Sequence, residues 1–404
     1  MKLKTLPIFF AFLCMGFGDA VNSFVGIAKG KFQLDNFEAN LIAFAGFIMF
    51  GLLSVPMGII QSKIGKKKTL LTGLIIAFAG VASVMVLGVD KFSIFLSAIL
   101  MLGAGATILQ VSGNPIMRDV SDEGQYSSNL SLGQFVKAIG SFTAPAVFTI
   151  AALKGYTEEK CWPVLLPIFA VSILITIISV ASLKIEEKSS ERAASIGSCL
   201  SMLGNPFVLM MVAGIFLYVG AEVCIGSGMP VYFKSKFGFS MESATQFVTY
   251  FYIAIMVARF LGAVILKMIT PKSFLIFTSI LSLAGFAMLA EGGKTFTIAA
   301  LFVIAFGFAN MFPLIFSIAI DKMPEKSNEL SGLMITAICG GAFIPLVMGR
   351  LADKFDTKTE EIVNGAVQIV SNGDGNLIGF IVPALCTVYI LAVGFLVKPS
   401  NKQN

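Results

Sequence analysis

The chain has 404 residues, of which 56% are hydrophobic and only 13% charged. So few charges cannot cover the surface of a large soluble helical protein, and the net charge of +6 is assigned to membrane orientation and anionic lipid, with no nucleic-acid partner. There is no His and no Gly-x-x-x-x-Gly-Lys-Ser/Thr loop, which removes histidine-dependent triads, His-ligated zinc and haem, and ATP as the power source; no enzyme activity, metal or cofactor is expected.

Apolar runs long enough to cross about 30 Å of hydrocarbon recur from end to end. Twelve are predicted, at 5–27, 40–61, 69–89, 92–115, 129–152, 163–183, 206–228, 244–267, 273–290, 295–319, 331–349 and 378–397. The expected fold is an all-α membrane protein with twelve transmembrane helices in two six-helix bundles of pseudo-twofold symmetry. Residues 1–183 form the first bundle, 184–205 a connector and 206–404 the second.

The first run leads into Asp19 and Asn22, three residues apart and therefore on one helix face. It lacks a small-residue cleavage site and is expected to stay in the protein. After the second run come Lys63, Lys66, Lys67 and Lys68, a short-loop basic cluster of the kind that stays inside. With both termini cytoplasmic, the inner segments hold 16 Lys or Arg against 11 outside, Lys137 and Arg259 being set apart as intramembrane. In the fourth run Gln110 and Asn114 are spaced i,i+4, and Pro115 follows; the amides suit sugar hydroxyls, while Asn114 equally suits backbone groups loosened by the proline.

The fifth run, NLSLGQFVKAIGS, puts Gln134 and Lys137 on one face. A buried ammonium needs an anion, and Asp19 is the most economical partner. The connector KIEEKSSERAAS reads as an exposed helix or tether. In the seventh run Glu222 lies between glycines in GAEVCIG, and in the eighth Arg259 opens the small-residue stretch RFLGA. A Glu222–Arg259 pair would lower the cost of both charges and lock two helices; Glu222 would also carry a proton if that partner were lost in one conformation. Residues 350–376, with Asp353, Asp356, Glu360 and Glu361, are expected to face outward and to form a short amphipathic helix around Ile362–Val370. Five cysteines, Cys14, Cys161, Cys224, Cys339 and Cys386, lie in or beside apolar runs as small hydrophobes, and Cys199 lies in the connector. The 38 Phe are read as lipid contact and core, and Trp162 as an interface marker.

The halves repeat one another: GIIQSKIGKKK follows the second run and RFLGAVILKMITPK closes the eighth, each with a glycine and then a basic residue at the membrane edge. With SGNPIMRDVSD (112–122), FLYVGAEVCIGSG (216–228), NMFPLIFSIAI (310–320), GGAFIPLVMGRLAD (340–353) and VPALCTVYI (382–390), the chain resembles a major facilitator superfamily transporter. Within that group it resembles the fucose–proton symporter and glucose/galactose transporter family. The resemblance implies a central sugar site between two bundles, alternating access, and an acid on the first helix for proton coupling, in a monomeric multi-pass protein of a bacterial inner membrane.

The superfamily signature Gly-x-x-x-Asp-Arg-x-Gly-Arg-Arg is matched by Gly58, Lys63, Gly65, Lys66 and Lys67, with Ser62 in place of the acid. Matched to the fucose transporter, the first-helix acid falls on Asn22, one turn beyond Asp19; the fourth-helix acid falls on Gln110 and a fifth-helix asparagine on Lys137. The expected substrate-binding set is Asn22, Gln110, Asn114, Gln134 and Lys137. Asp19 and Glu222 are expected to couple protons, and Gly58, Lys63, Gly65 and Arg259 to gate or brace the bundle. The expected function is secondary active transport of a monosaccharide or related sugar, coupled to H+. Lys137 leaves open an acidic or amino-substituted sugar or another small metabolite, unless Asp19 cancels its charge; a sensor that keeps the fold without moving solute is the third reading.

Overall fold

Backbone amides find no partner in hydrocarbon, so a chain of this composition must satisfy them within helices. The computed structural model describes residues 5–19, 28, 31–33, 36–88, 90–154, 162–184, 195–356, 358–363 and 366–397. Six long elements fill the first half: α1 (Leu6–Asp19), α2 (Asn36–Ile64), α3 (Lys66–Leu87), α4 (Phe92–Val120), α5 (Tyr126–Leu153) and α6 (Trp162–Ser182). A short α7 (Ile196–Ser201) precedes α8 (Pro206–Phe237), α9 (Met241–Ile265), α10 (Pro271–Ala290), α11 (Lys294–Phe308) and α12 (Met311–Lys322). Next come α13 (Ser327–Thr336), α14 (Gly340–Phe355), a hairpin of β1 (Lys358–Val363) and β2 (Ala366–Ser371), α15 (Asp374–Gly379) and α16 (Ile381–Leu396).

Local sequence sets the helix ends. Gly65 alone separates α2 from α3, at φ 90°, a conformation glycine adopts without strain. Pro206 opens α8, where a missing N–H is harmless, and Asn205 Oδ1 accepts from the Phe207 N–H at 2.9 Å. The tenth and eleventh runs, expected to be continuous, are each interrupted: α11 gives way to α12 at residues 309–310, and a 3-10 turn at Ala337–Cys339 separates α13 from α14.

Among the described residues ten helical segments are long and apolar enough to cross a membrane; α1 is a shorter apolar helix, and α5, which carries Gln134 and Lys137, is outside the ten. Large apolar side chains such as Phe44, Ile178, Phe277 and Leu385 are exposed where a soluble protein would place charge. The chain is a multi-spanning helical membrane protein.

Residues 358–371 correct one expectation. In place of an amphipathic helix around Ile362–Val370 there is an antiparallel hairpin, running in register from Lys358↔Ser371 to Val363↔Ala366. Thr359, Ile362, Val363, Val367, Ile369 and Val370 are β-branched, and the intervening Asn364-Gly365 is the dipeptide favoured in two-residue hairpin loops.

Two compact units emerge. The first comprises Met1–Val208 with Ala319–Thr336, the second Leu209–Ile318 with Ala337–Asn404. In the first, α13 packs on α2 and α4: Gly58 lies against the Asn328 carbonyl and Gly332, and Gln61 Nε2 donates to Asn328 Oδ1 at 3.0 Å. Of the connector, residues 185–194 lie outside the described residues, and α7 is a single capped turn that buries Cys199.

Burial, with the Glu329 charge nearby, pushes the Cys199 thiol up to about 11. Its reactive thiolate is therefore scarce at neutral pH. A variant retaining only Cys199 should resist maleimide at pH 7.5 in mild detergent and label fully once denatured. Rapid labelling of the folded protein would contradict this packing.

Candidate substrate and proton sites

The first polar centre depends on how closely α1 and α5 approach. A Cβ on Gly16 would collide with the Lys137 carbonyl, and one on Gly140 with the Leu13 carbonyl, so two glycines let the backbones touch. One turn beyond Gly16, Asp19 Oδ2 lies 2.9 Å from Lys137 Nζ, and Ser141 Oγ donates to the same oxygen at 3.3 Å. The side chains are 32% and 13% exposed, so the pair is sunk but reachable. Loss of one member of a fully buried pair costs about 3–5 kcal/mol; the exposed third of Asp19 reduces that cost here.

Three buried amides lie on α4 and α5. Gln134, one turn before Lys137, is buried and its Nε2 has no hydrogen-bond partner. On α4, Gln110 is 2% exposed, while Asn114 is wholly buried with both amide atoms unpartnered. Buried amides are ordinarily satisfied, and unsatisfied ones in a polar region suit a ligand with hydroxyls. Asn22 lies outside the described residues.

Pro115 explains a further contact. A proline within a helix leaves the carbonyl four residues earlier without its donor, and an orphan carbonyl in a membrane protein costs several kcal/mol. Here that carbonyl is Val111, and Ser331 Oγ on α13 donates to it at 2.7 Å. The backbone loosened by the proline is thus met by Ser331, and the Asn114 side chain is not used for it.

The second centre joins α8, α9 and the α11–α12 break. Glu222 does not meet Arg259 directly, since no ion pair within 4.0 Å joins them among the described residues. The Tyr218 hydroxyl stands between: it donates to Glu222 Oε2 and also interacts with the Arg259 guanidinium. Arg259 Nε donates to the Ala309 carbonyl at 3.2 Å, the carbonyl that Pro313 leaves without a helical donor. Asn310 Nδ2 donates back to the Ala258 carbonyl at 2.9 Å, its amide pressed against Gly262, where a Cβ would collide with it. Residues 258–259 and 309–310 therefore exchange two hydrogen bonds.

The signature after α2 makes a third cluster. Lys66 pairs with Asp119 at 2.6 Å, nearly fully buried, and Arg118 with Asp321 at 2.8 Å. Ser62 Oγ turns back onto the Ile59 carbonyl at 2.7 Å, and Lys63 is exposed. Ionic contacts at this end are made by Asp119 and Asp321, not at position 62. Tyr218, Asn310, Ser331 and Ser141 carry no mark in the sequence beyond membership of quoted segments or ordinary helix composition.

A helical bundle with paired charges and unsatisfied amides sunk among apolar helices is the architecture of a polytopic transporter. Residues 8–345 match the Major Facilitator Superfamily, and the chain belongs to that family. It is 29% identical over 381 residues to a glucose/galactose transporter of Brucella abortus biovar 1 (strain 9-941), covering 91% of this chain and 87% of that one. It is 23% identical over 352 residues to the L-fucose-proton symporter of Escherichia coli (strain K12), covering 80% of each. The fold matches the crystal structure of the transporter FucP in the outward conformation with a TM-score of 0.80 at 21% identity, covering 99% of this chain and 100% of that one.

The glycine contact yields a stability prediction. Gly140→Leu should force α1 from α5 and destabilise the protein by about 1–3 kcal/mol or more, read as a lower thermal unfolding midpoint in detergent. Gly51→Ala, where a Cβ meets nothing within 4 Å, should not lower it. Equal midpoints for the wild type and Gly140→Leu would contradict the contact.

Proposed function

We propose that the chain is a secondary transporter that moves a neutral monosaccharide together with protons by alternating access. The observation that carries the choice of substrate is the 2.9 Å contact between Asp19 and Lys137. An ammonium already facing a carboxylate offers little net attraction to an anionic sugar, whereas the amides of Gln110, Asn114 and Gln134 offer donors and acceptors to hydroxyl groups. We assign Asn22, Gln110, Asn114, Gln134 and Lys137 to sugar recognition, Asp19 and Glu222 to the two charge centres through which sugar and proton movement are coupled, and Gly58, Lys63, Gly65 and Arg259 to gating or bracing. The relatives named for glucose, galactose and L-fucose support this reading.

The proposed architecture has twelve membrane helices, the ten long segments with α1 and α5, as bundles at 1–183 and 206–404 joined by 184–205. Both termini are cytoplasmic, and the protein is a monomer of a bacterial inner membrane. The basic cluster after α2 supports the orientation.

Counterflow in proteoliposomes tests the substrate. Labelled neutral hexoses and deoxyhexoses should exchange saturably and compete with one another, and hexuronates should compete poorly. Preferential exchange of a sugar acid would overturn the neutral-substrate reading, and no exchange of any sugar by folded, inserted protein would overturn transport of sugars. Within the site, Asp19→Asn and Lys137→Gln should each strongly weaken counterflow, with the double variant losing less than the sum. Strictly additive losses would mean that the two charges act independently.

A further inference from the structure

We propose that Glu222, and not Asp19, takes up the transported proton, and that Tyr218 and Arg259 pass its change of charge to the break between α11 and α12. This rests on the proton-coupled reading above and divides the labour between its two carboxylates. Asp19 is bonded to an ammonium, so protonating it would strand the Lys137 charge. Glu222 is bonded to a neutral phenol, which it can lose without leaving a directly paired cation behind.

The groups around Glu222 fit this role. From its own helix comes Tyr218. From α9 come Arg259 and, a turn further along α8 at Gly226, the Tyr252 hydroxyl; Cys224, two residues along α8, interacts with Cys386 of α16. From α11 comes Phe308, edge-on to Tyr218 at 6.0 Å, and α14 approaches one turn away with Ile344 against Gly220. Arg259 is the formal charge in this set, reaching Glu222 through the Tyr218 hydroxyl.

When Glu222 is ionised, the three side chains sum to zero: the guanidinium polarises the phenol, and the phenol donates to the carboxylate. When Glu222 gains a proton, the set becomes +1, and Arg259 is left with neutral partners alone, the Tyr218 hydroxyl and the Ala309 carbonyl. That carbonyl lies at the interruption of the tenth run, where Pro313 has removed the helical donor and Asn310 returns a bond to Ala258. Protonation therefore favours any state in which Arg259 regains an anion or water, and the backbone at 309–310 is the element it holds. The apparent helix lock is thereby a proton-responsive hinge contact.

Proteoliposomes assayed for both counterflow and pH-gradient-driven accumulation of one neutral sugar separate the alternatives. Glu222→Gln should retain counterflow and lose accumulation, whereas Asp19→Asn should impair both together. Tyr218→Phe keeps the ring and removes the hydrogen bond to the carboxylate, so the pH profile of accumulation should differ from that of the wild type. Accumulation retained in Glu222→Gln, or lost with counterflow intact in Asp19→Asn, would overturn the assignment while leaving proton coupling standing. An unchanged profile in Tyr218→Phe would overturn it even if Glu222→Gln did not fold. Wild-type counterflow without any response to a pH gradient would overturn the proton-coupled reading itself.

Discussion

Charges and orphan carbonyls within a bilayer have to be met inside the protein, and that constraint organises this fold. Four charges lie well inside its apolar runs, away from their ends, and each has an intramolecular answer: Asp19 with Lys137, and Glu222 with Arg259 through Tyr218. Two prolines, Pro115 and Pro313, each strip a helical donor from a carbonyl, and side chains of other helices supply replacements, Ser331 to Val111 and Arg259 to Ala309. Polar groups in such a protein do not decorate the helices; they decide which helices must touch.

The two centres answer the constraint differently, and function follows from the difference. The Asp19–Lys137 pair is direct, and glycines at positions 16 and 140 that bring two backbones together set its geometry. A neutral pair with the buried amide of Gln134 one turn away suits a neutral ligand rich in hydroxyls. The Glu222 centre is indirect, with a phenol between the charges and a broken helix at its far side. In the proposed mechanism the indirect pair separates without breaking a direct ion contact, and Arg259 carries the change to the Ala309 carbonyl it holds.

Much of this was legible in the sequence because a charge in an apolar run is rare and has few available partners. Asp19 and Lys137 could be matched for that reason, and the apolar runs located the helices. The Tyr218 bridge was hidden: one tyrosine among seven, on a helix with no unusual composition, gives no sign that it will stand between two charges. Ser331 was equally silent, since a serine hydroxyl finds a neighbouring carbonyl only once α13 has packed on α4. The hairpin at 358–371 was misread because apolar and polar residues mix there in a way a short helix also allows, while its β-branched residues and Asn-Gly dipeptide follow the other period. The motif after α2 located a charged cluster but not its partners, because the acids that serve it, Asp119 and Asp321, lie on other helices.

The most direct test of proton-coupled sugar transport is to follow proton movement when only sugar is supplied. Proteoliposomes enclosing a pH-sensitive dye, held without a pre-set pH gradient and with their membrane potential clamped, should acidify inside when a neutral monosaccharide is added outside. The rate should saturate with sugar concentration, and a non-transported stereoisomer should have no effect. Saturable sugar entry with no change in internal pH would contradict the account.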